Sequence, residues 1–235
     1  MSAILGEFIG SAALLLFGAG VVANVALNKT NGHQGGWIVI TFGWAMAVFI
    51  GVYTSVHLGG SGHLNPAVTL AMTAFKGFDQ SLVPGYIGAQ LAGSFLGAVI
   101  VWVAYYKQFE DTTDADAKLA VFCTSPAINS PLHNTISEAI GAFALVFGAL
   151  CLSPAASSLG TLDALPVSLL VLGIGLSLGG PTGYAINPSR DLGPRIAHFL
   201  LPISNKRDSN WKYSWVPIVG PIIGALAAGW VFSLL

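Results

Sequence analysis

The sequence predicts an all-α membrane protein with six transmembrane helices and two re-entrant half-helices arranged as an inverted repeat. Three observations carry that prediction. Of 235 residues, 54% are hydrophobic and 8% are Asp, Glu, Lys or Arg, against about 25% charged in a soluble domain. Nine basic and ten acidic side chains cannot cover a soluble globule of this length, and a mean hydropathy of +0.74 makes lipid the solvent. Second, six apolar stretches lie at about 4–27, 37–56, 84–106, 134–152, 165–178 and 215–235. All but 165–178, which is short as drawn, approach the roughly 20 residues that a bilayer crossing needs. Third, segments 59–75 and 179–200 each begin with a glycine-rich run, reach an Asn-Pro pair and continue as an apolar stretch about half a crossing long. Such half-crossings are re-entrant elements.

Taken in chain order, the first stretch starts too close to Met1, and without a basic leading segment, to be a cleaved signal peptide. It is expected to remain. Residues 28–36 and 153–164 are turn-rich connectors, and 107–133 is a longer one holding Glu110, Asp111, Asp114 and Asp116. All three read as water-exposed. A formal net charge of -1 provides no field for nucleic acid, and the apolar content excludes disorder. Cys123 and Cys151 make neither a disulfide framework nor a metal site and read as small apolar residues. His33, His57, His133 and His198 have no ligand partners at metal spacing, so no metal or cofactor is implied.

An internal repeat organises these elements. Glu7-Phe8-Ile9-Gly10 followed by Phe17-Gly18-Ala19 is echoed by Glu138-Ala139-Ile140-Gly141 followed by Phe147-Gly148-Ala149. The Asn-Pro pairs recur at 65 and 187, and Gly88, Gly93 and Gly97 echo in Gly220 and Gly224. Each half holds three spans and one half-span. Because three is odd, the second copy enters from the opposite face, an inverted repeat of a kind used by proteins that move solutes. The chain 1–235 is thus expected to be a single channel-like domain, with repeats of about 1–106 and 134–235 joined by 107–133. Gly10, Gly18, Gly141 and the repeat-related glycines above are expected to let helices approach closely.

Proline suits the first helical position and asparagine caps the residue before it. Each half-helix should therefore start at its pair, with the two N-termini meeting near the bilayer middle. Asn65 and Asn187 can cap with the side-chain oxygen and still aim an amide NH2 between them. Two helix ends, each carrying about +0.5 charge, then oppose a cation or migrating proton. The preceding runs, including Gly62-His63-Leu64 and Gly183-Tyr184-Ala185-Ile186, cannot be helical in full. Their carbonyls would form a ladder of acceptors along a pore.

Asn65-Pro66-Ala67, preceded by Ser61-Gly62-His63-Leu64, together with Asn187-Pro188-Ser189-Arg190-Asp191, resembles the paired signature of the aquaporin (major intrinsic protein) family. The likeness covers essentially the whole chain, Glu7 and Glu138 included; Ser189 stands where the family usually has alanine. The resemblance implies a right-handed bundle with one pore per subunit, a homotetramer, and cytoplasmic termini. It also implies an outer constriction, which maps onto Trp44 (or else Phe42), Gly175, Tyr184 and Arg190. Water-selective members carry histidine at the place of Gly175, so glycine there should widen the opening. Asp191 matches the glycerol-facilitator branch, where Phe is more usual than Tyr184; the extra hydroxyl is expected to favour more polar solutes.

Trp44 and Tyr184 would make an apolar corner for a carbon chain, while Arg190 offers donors to hydroxyls. The solutes this implies are glycerol, dihydroxyacetone, urea, undissociated lactic acid, hydrogen peroxide and water. The competing reading spends Arg190 on Asp191, although adjacent residues on a helix do not face each other. Glu7 and Glu138 are expected to accept hydrogen bonds from the loop N–H groups, with proton relay as the alternative. His63 turns to the lumen or makes a structural hydrogen bond, the latter being favoured.

Two other readings compete. Gly59-Gly60-Ser61-Gly62 resembles the Gly-x-Ser-Gly of rhomboid intramembrane proteases, and secondary transporters also use inverted repeats and broken helices. Orientation is contested as well. With cytoplasmic termini only Lys76 is clearly inside, whereas Lys29, Lys107, Lys118, Lys206, Arg207 and Lys212 fall outside, against the inward bias of basic residues. The family's arrangement is retained, and short tails without a targeting signal fit a bacterial inner (plasma) membrane.

Overall fold

The computed structural model describes residues 2–152 and 162–235. Eleven helical segments follow one another there: α1 Ala3–Ala26, α2 Trp37–His57, α3 Pro66–Phe75, a 3-10 turn Gln80–Leu82, α4 Val83–Ala104, α5 Tyr106–Asp111, α6 Ala115–Phe122, α7 Pro131–Cys151, α8 Leu165–Leu178, α9 Pro188–Leu200 and α10 Val216–Ser233. Among the described residues α1, α2, α4 (with its 3-10 turn), α7 and α10 are long and apolar enough to cross a membrane. The sixth place is taken by α8, whose 14 residues rise about 21 Å. Most of connector 153–164 lies outside the described residues.

Local chemistry sets the starts. Ser2 caps α1 by accepting from Leu5 N (3.3 Å). Pro131 stands in the first turn of α7, which therefore begins three residues before the expected 134. Within each half the last span lies against the first, α4 on α1 and α10 on α7, and each half-helix leans on the last span of the other half: α3 on α10, α9 on α4. Backbone approach makes this possible. A Cβ on Gly97 would sit 2.4 Å from Ala12 O, and one on Gly224 would sit 2.0 Å from Ala139 O, so only glycine fits. Gly88 departs from that expectation, because a Cβ there would meet nothing within 4 Å.

Segment 107–133 corrects the reading of a water-exposed loop. It folds into α5 and α6, with Asp114 capping α6 by accepting from Asp116 N (2.8 Å) and Ala117 N (3.1 Å). Phe109, Leu119, Val121, Phe122 and Cys123 are buried, and α6 lies on α1 and α9. Lys118 is buried too, donating to Ser204 O at 2.6 Å. Four apolar side chains in short helices bury more favourably than they hydrate, and the acidic residues remain on the outside in pairs, Lys107 with Glu110 and Lys29 with Asp111. Cys151, at the end of α7, is exposed rather than packed.

Candidate functional site

α3 and α9 meet tip to tip. Asn65 caps α3 by accepting from Ala67 N (2.9 Å), and Asn187 caps α9 by accepting from Ser189 N (3.0 Å) and Arg190 N (3.2 Å). Pro66 and Pro188 take the first helical position in each. The amides then cross over: Asn65 Nδ2 donates to Ile186 O and Asn187 Nδ2 donates to Leu64 O, both at 2.8 Å. Each amide thus spends one N–H on the opposite loop and keeps one for the space between. Ser189 joins in, donating to Asn187 Oδ1 (2.9 Å) with Leu64 O also in reach (3.3 Å).

The loops leading to the tips are held from behind by buried carboxylates. Glu7 accepts from His63 N (3.0 Å), Leu64 N (2.7 Å), Ser55 Oγ (3.0 Å) and Gln90 Nε2 (2.8 Å). Glu138 accepts from Ala185 N (2.9 Å) and Ile186 N (2.7 Å). In these loops Leu64 (φ 51), Tyr184 (φ 39) and Ile186 (φ 46) adopt left-handed backbone. This region is costly for residues with a Cβ and persists only where the surroundings fix it. Ser55 and Gln90 were not singled out from sequence; they belong to α2 and α4 and become visible only when those helices close on α1.

Beside the tips runs a cavity of about 160 Å³. Its lining includes Trp44, Tyr184 and Arg190, then Asn65 and Asn187, and Met72 one turn before the end of α3. Gly62, His63, Leu64, Ala185 and Ile186 face it, and Leu14, Val48, Val52, Leu145 and Val171 give it an apolar wall. Pro66, Ala67, Pro188 and Ser189 are buried behind that lining; Gly175, also buried, and Gly183, half-buried, lie outside it. The Leu64 and Ile186 carbonyls each accept from an asparagine amide, which leaves one lone pair on each.

Where the outer constriction is expected, Arg190 lies over the Trp44 ring, its Cζ 4.1 Å from the ring centroid. The ring is wedged by α1, since a Cβ on Gly18 would fall 2.3 Å from it. Phe42, the alternative to Trp44, points away and is 51% exposed. Arg190 is not spent on Asp191. That carboxylate is bound by Arg195 Nε (2.9 Å) and Nη2 (2.7 Å), by Thr124 N (2.8 Å) and by Thr124 Oγ1 (2.7 Å). Arg195, four residues on, shares the helix face that Arg190 cannot reach.

Two expectations about this corner turn on Tyr184. The room left by the missing side chain of Gly175 is taken by the tyrosine ring, since a Cβ there would sit 2.8 Å from Tyr184 Cζ. The Tyr184 hydroxyl is buried and, among the described residues, has no hydrogen-bond partner, so as placed it presents no polar group to a solute. His63 makes the structural bond, Nδ1 to Thr69 Oγ1 at 3.2 Å, and is clamped by Phe78 and Tyr86. Ser61 pairs with the Tyr86 hydroxyl at 3.0 Å, and His63 is bonded to Thr69 instead of to this serine.

Comparison with known proteins agrees with this geometry. The family model described as "Major intrinsic protein" matches residues 1–232. The chain is 51% identical over 235 residues to a probable glycerol uptake facilitator protein of Thermotoga maritima, covering 100% of both. It is 49% identical to glycerol uptake facilitator protein 3 of Lactiplantibacillus plantarum, covering 99% of this chain and 96% of that one. Its structure is similar to the X-ray structure of the aquaglyceroporin from Plasmodium falciparum, with a TM-score of 0.87 and 30% identity over 98% of this chain and 94% of that one. With its reciprocal Asn-Pro half-helices and this whole-length likeness, the chain belongs to the major intrinsic protein family.

Proposed function

We propose that this chain is a passive membrane channel of the glycerol-facilitator type, conducting glycerol and other small uncharged solutes and excluding ions and protons. The observation that carries this reading is the Trp44–Arg190–Tyr184 corner opening onto a cavity that passes both asparagines. A polyol has a CH face and an OH face. The CH face slides along Trp44, Tyr184 and the valine wall, while the hydroxyls exchange bulk water for Arg190, the free amide N–H groups and the loop carbonyls. Every polar partner is fixed in place, so little reorganisation opposes each step. A cation meets Arg190 and then two helix N-termini, a positive barrier without compensating carboxylates, since Glu7 and Glu138 are buried (0% and 1% exposed) and occupied by loop N–H groups.

The same arrangement opposes the alternatives. A secondary transporter needs a coupling group that changes partners, and here the two intramembrane glutamates are tied to backbone. A hydrolase needs an activated nucleophile, and Ser61 has none. Dihydroxyacetone, urea, undissociated lactic acid, hydrogen peroxide and water share the size and neutrality of glycerol and are proposed as further solutes. Trp44, Gly175, Tyr184 and Arg190 form the selectivity filter in this reading, with Gly175 as the seat of the Tyr184 ring; Asn65 and Asn187 form the central constriction.

The chain 1–235 acts as a single domain of two inverted repeats, about 1–106 and 134–235, joined by 107–133. Assembly as a homotetramer is proposed on the family likeness, with the large apolar residues exposed around the bundle, among them Phe17, Ile38, Val103, Ile140, Leu169 and Trp230, facing lipid or a neighbouring subunit. Cytoplasmic termini in a bacterial plasma membrane are supported by the engagement of the outer basic residues: Lys29 with Asp111, Lys107 with Glu110, Arg207 with Asp116, and Lys118 with Ser204 O. Those charges serve loop folding. Stopped-flow swelling of proteoliposomes in glycerol against sorbitol tests the function: glycerol is expected to enter and sorbitol to stay out, and equal exclusion of both would overturn it.

A further inference from the structure

Trp37 opens α2 and does not line the cavity, yet it touches the constriction from behind. Its indole Nε1 donates to Gly175 O at 3.0 Å, across 138 residues of sequence. That carbonyl belongs to the last turn of α8, where backbone acceptors lack intrahelical partners. The indole ring also meets Tyr184 edge-on, with centroids 5.8 Å apart and planes at 78°. The two rings share the space over Gly179, where a Cβ would fall 2.7 Å from Trp37 Cζ2 and 2.6 Å from Tyr184 Cδ1.

Tyr184 needs such support. Its backbone sits at φ 39, and among the described residues its hydroxyl has no hydrogen-bond partner, so no polar contact of the side chain with them fixes the ring. Packing alone holds it, with Gly175 under the ring and Trp37 on the side away from the lumen. We infer that Trp37 is a positioning residue: by bonding Gly175 O and bracing the Tyr184 ring, it sets the width of the opening and hence the largest solute admitted. This inference rests on the filter reading above. Without the indole, the Tyr184 ring can recede from Arg190 and the opening widens.

The test is stopped-flow swelling of proteoliposomes in glycerol, erythritol and xylitol, read as the xylitol-to-glycerol permeability ratio. Trp37→Phe, which loses the N–H, is expected to raise the ratio about three- to tenfold, the change one neutral hydrogen bond supports. Trp37→Leu, which loses the ring as well, should raise it further, and Trp37→His, which keeps a ring N–H, should return it toward the wild-type value. An unchanged ratio in whichever variant is recovered folded overturns the inference, as does equal loss of all three fluxes, which reports only fewer folded channels. Wild-type vesicles that admit no glycerol would overturn the channel reading itself; wild-type glycerol flux with unresponsive variants overturns the role of Trp37 alone.

Discussion

The two re-entrant segments follow one plan at their tips and differ everywhere else. At the tips the main bonds correspond: each Asn caps its own helix, donates across to the other loop at 2.8 Å, and has its loop N–H groups held by a buried Glu. Four residues into each helix the plan splits. The first segment has Thr69, which donates to Asn65 O (3.1 Å) and accepts from Gln90 Nε2 (3.0 Å), all neutral partners. The second has Asp191 at that place, in a buried ion pair with Arg195 that also binds Thr124 and, through Arg195 Nη1, Ser209 O at 2.7 Å. In the proposed reading the difference teaches that exclusion at the bilayer middle is duplicated between the segments, whereas the second alone contributes cavity-lining filter residues, Tyr184 and Arg190, which meet Trp44 of α2. The Asp191–Arg195 clamp holds the helix that carries Arg190.

Replacing the two matched residues should break the comparison most sharply. Asp191→Ala leaves Arg195 buried without its carboxylate and is expected to cost about 3–5 kcal/mol, enough to prevent recovery of folded protein. Thr69→Val removes neutral bonds only and should cost about 1 kcal/mol. Monodisperse yield and thermal midpoint in detergent check both; equal loss would contradict the asymmetry.

The supporting glutamates come next. Glu7→Gln and Glu138→Gln each turn an acceptor of backbone N–H groups into a mixed donor and acceptor, with about 1.5–3 kcal/mol at stake per charged hydrogen bond. Folded yield should fall more for Glu7, which also serves Ser55 and Gln90, and the glycerol-to-sorbitol ratio of the surviving channels should hold. A loss of proton exclusion with normal yield would instead favour a relay.

These features differ in how far sequence exposes them. The half-helix starts were legible because Asn-Pro fixes a cap and a first turn by local chemistry alone, and Glu7 and Glu138 because the repeat aligns them. The Tyr184 ring filling the place above Gly175 was not, since it depends on a left-handed backbone at 184 and on α2 behind it. Segment 107–133 misled because its four acidic residues suggest water, while Phe109 and Phe122 find a core only once α1 and α9 are in place. Lys206 was counted as a loop charge; it caps α9, donating to His198 O (2.5 Å), Phe199 O (2.8 Å) and Leu201 O (2.7 Å).

Within the constriction the effects become smaller. Gly18→Ala puts a methyl against Trp44 and should press the ring toward Arg190, at about 1–3 kcal/mol of strain; glycerol flux is expected to fall more than water flux. Tyr184→Phe deletes a buried hydroxyl that has no partner, so the thermal midpoint should rise slightly, by about 1 kcal/mol of stability. A fall would mean that the hydroxyl has a partner after all.

The most direct measurement follows glycerol entry and internal pH in the same proteoliposomes while the glycerol gradient is varied. A fixed passage beside two abutting helix tips should give flux proportional to the gradient, weakly dependent on temperature, with no change of internal pH. Saturating flux, or glycerol entry that carries protons with it, would contradict the account.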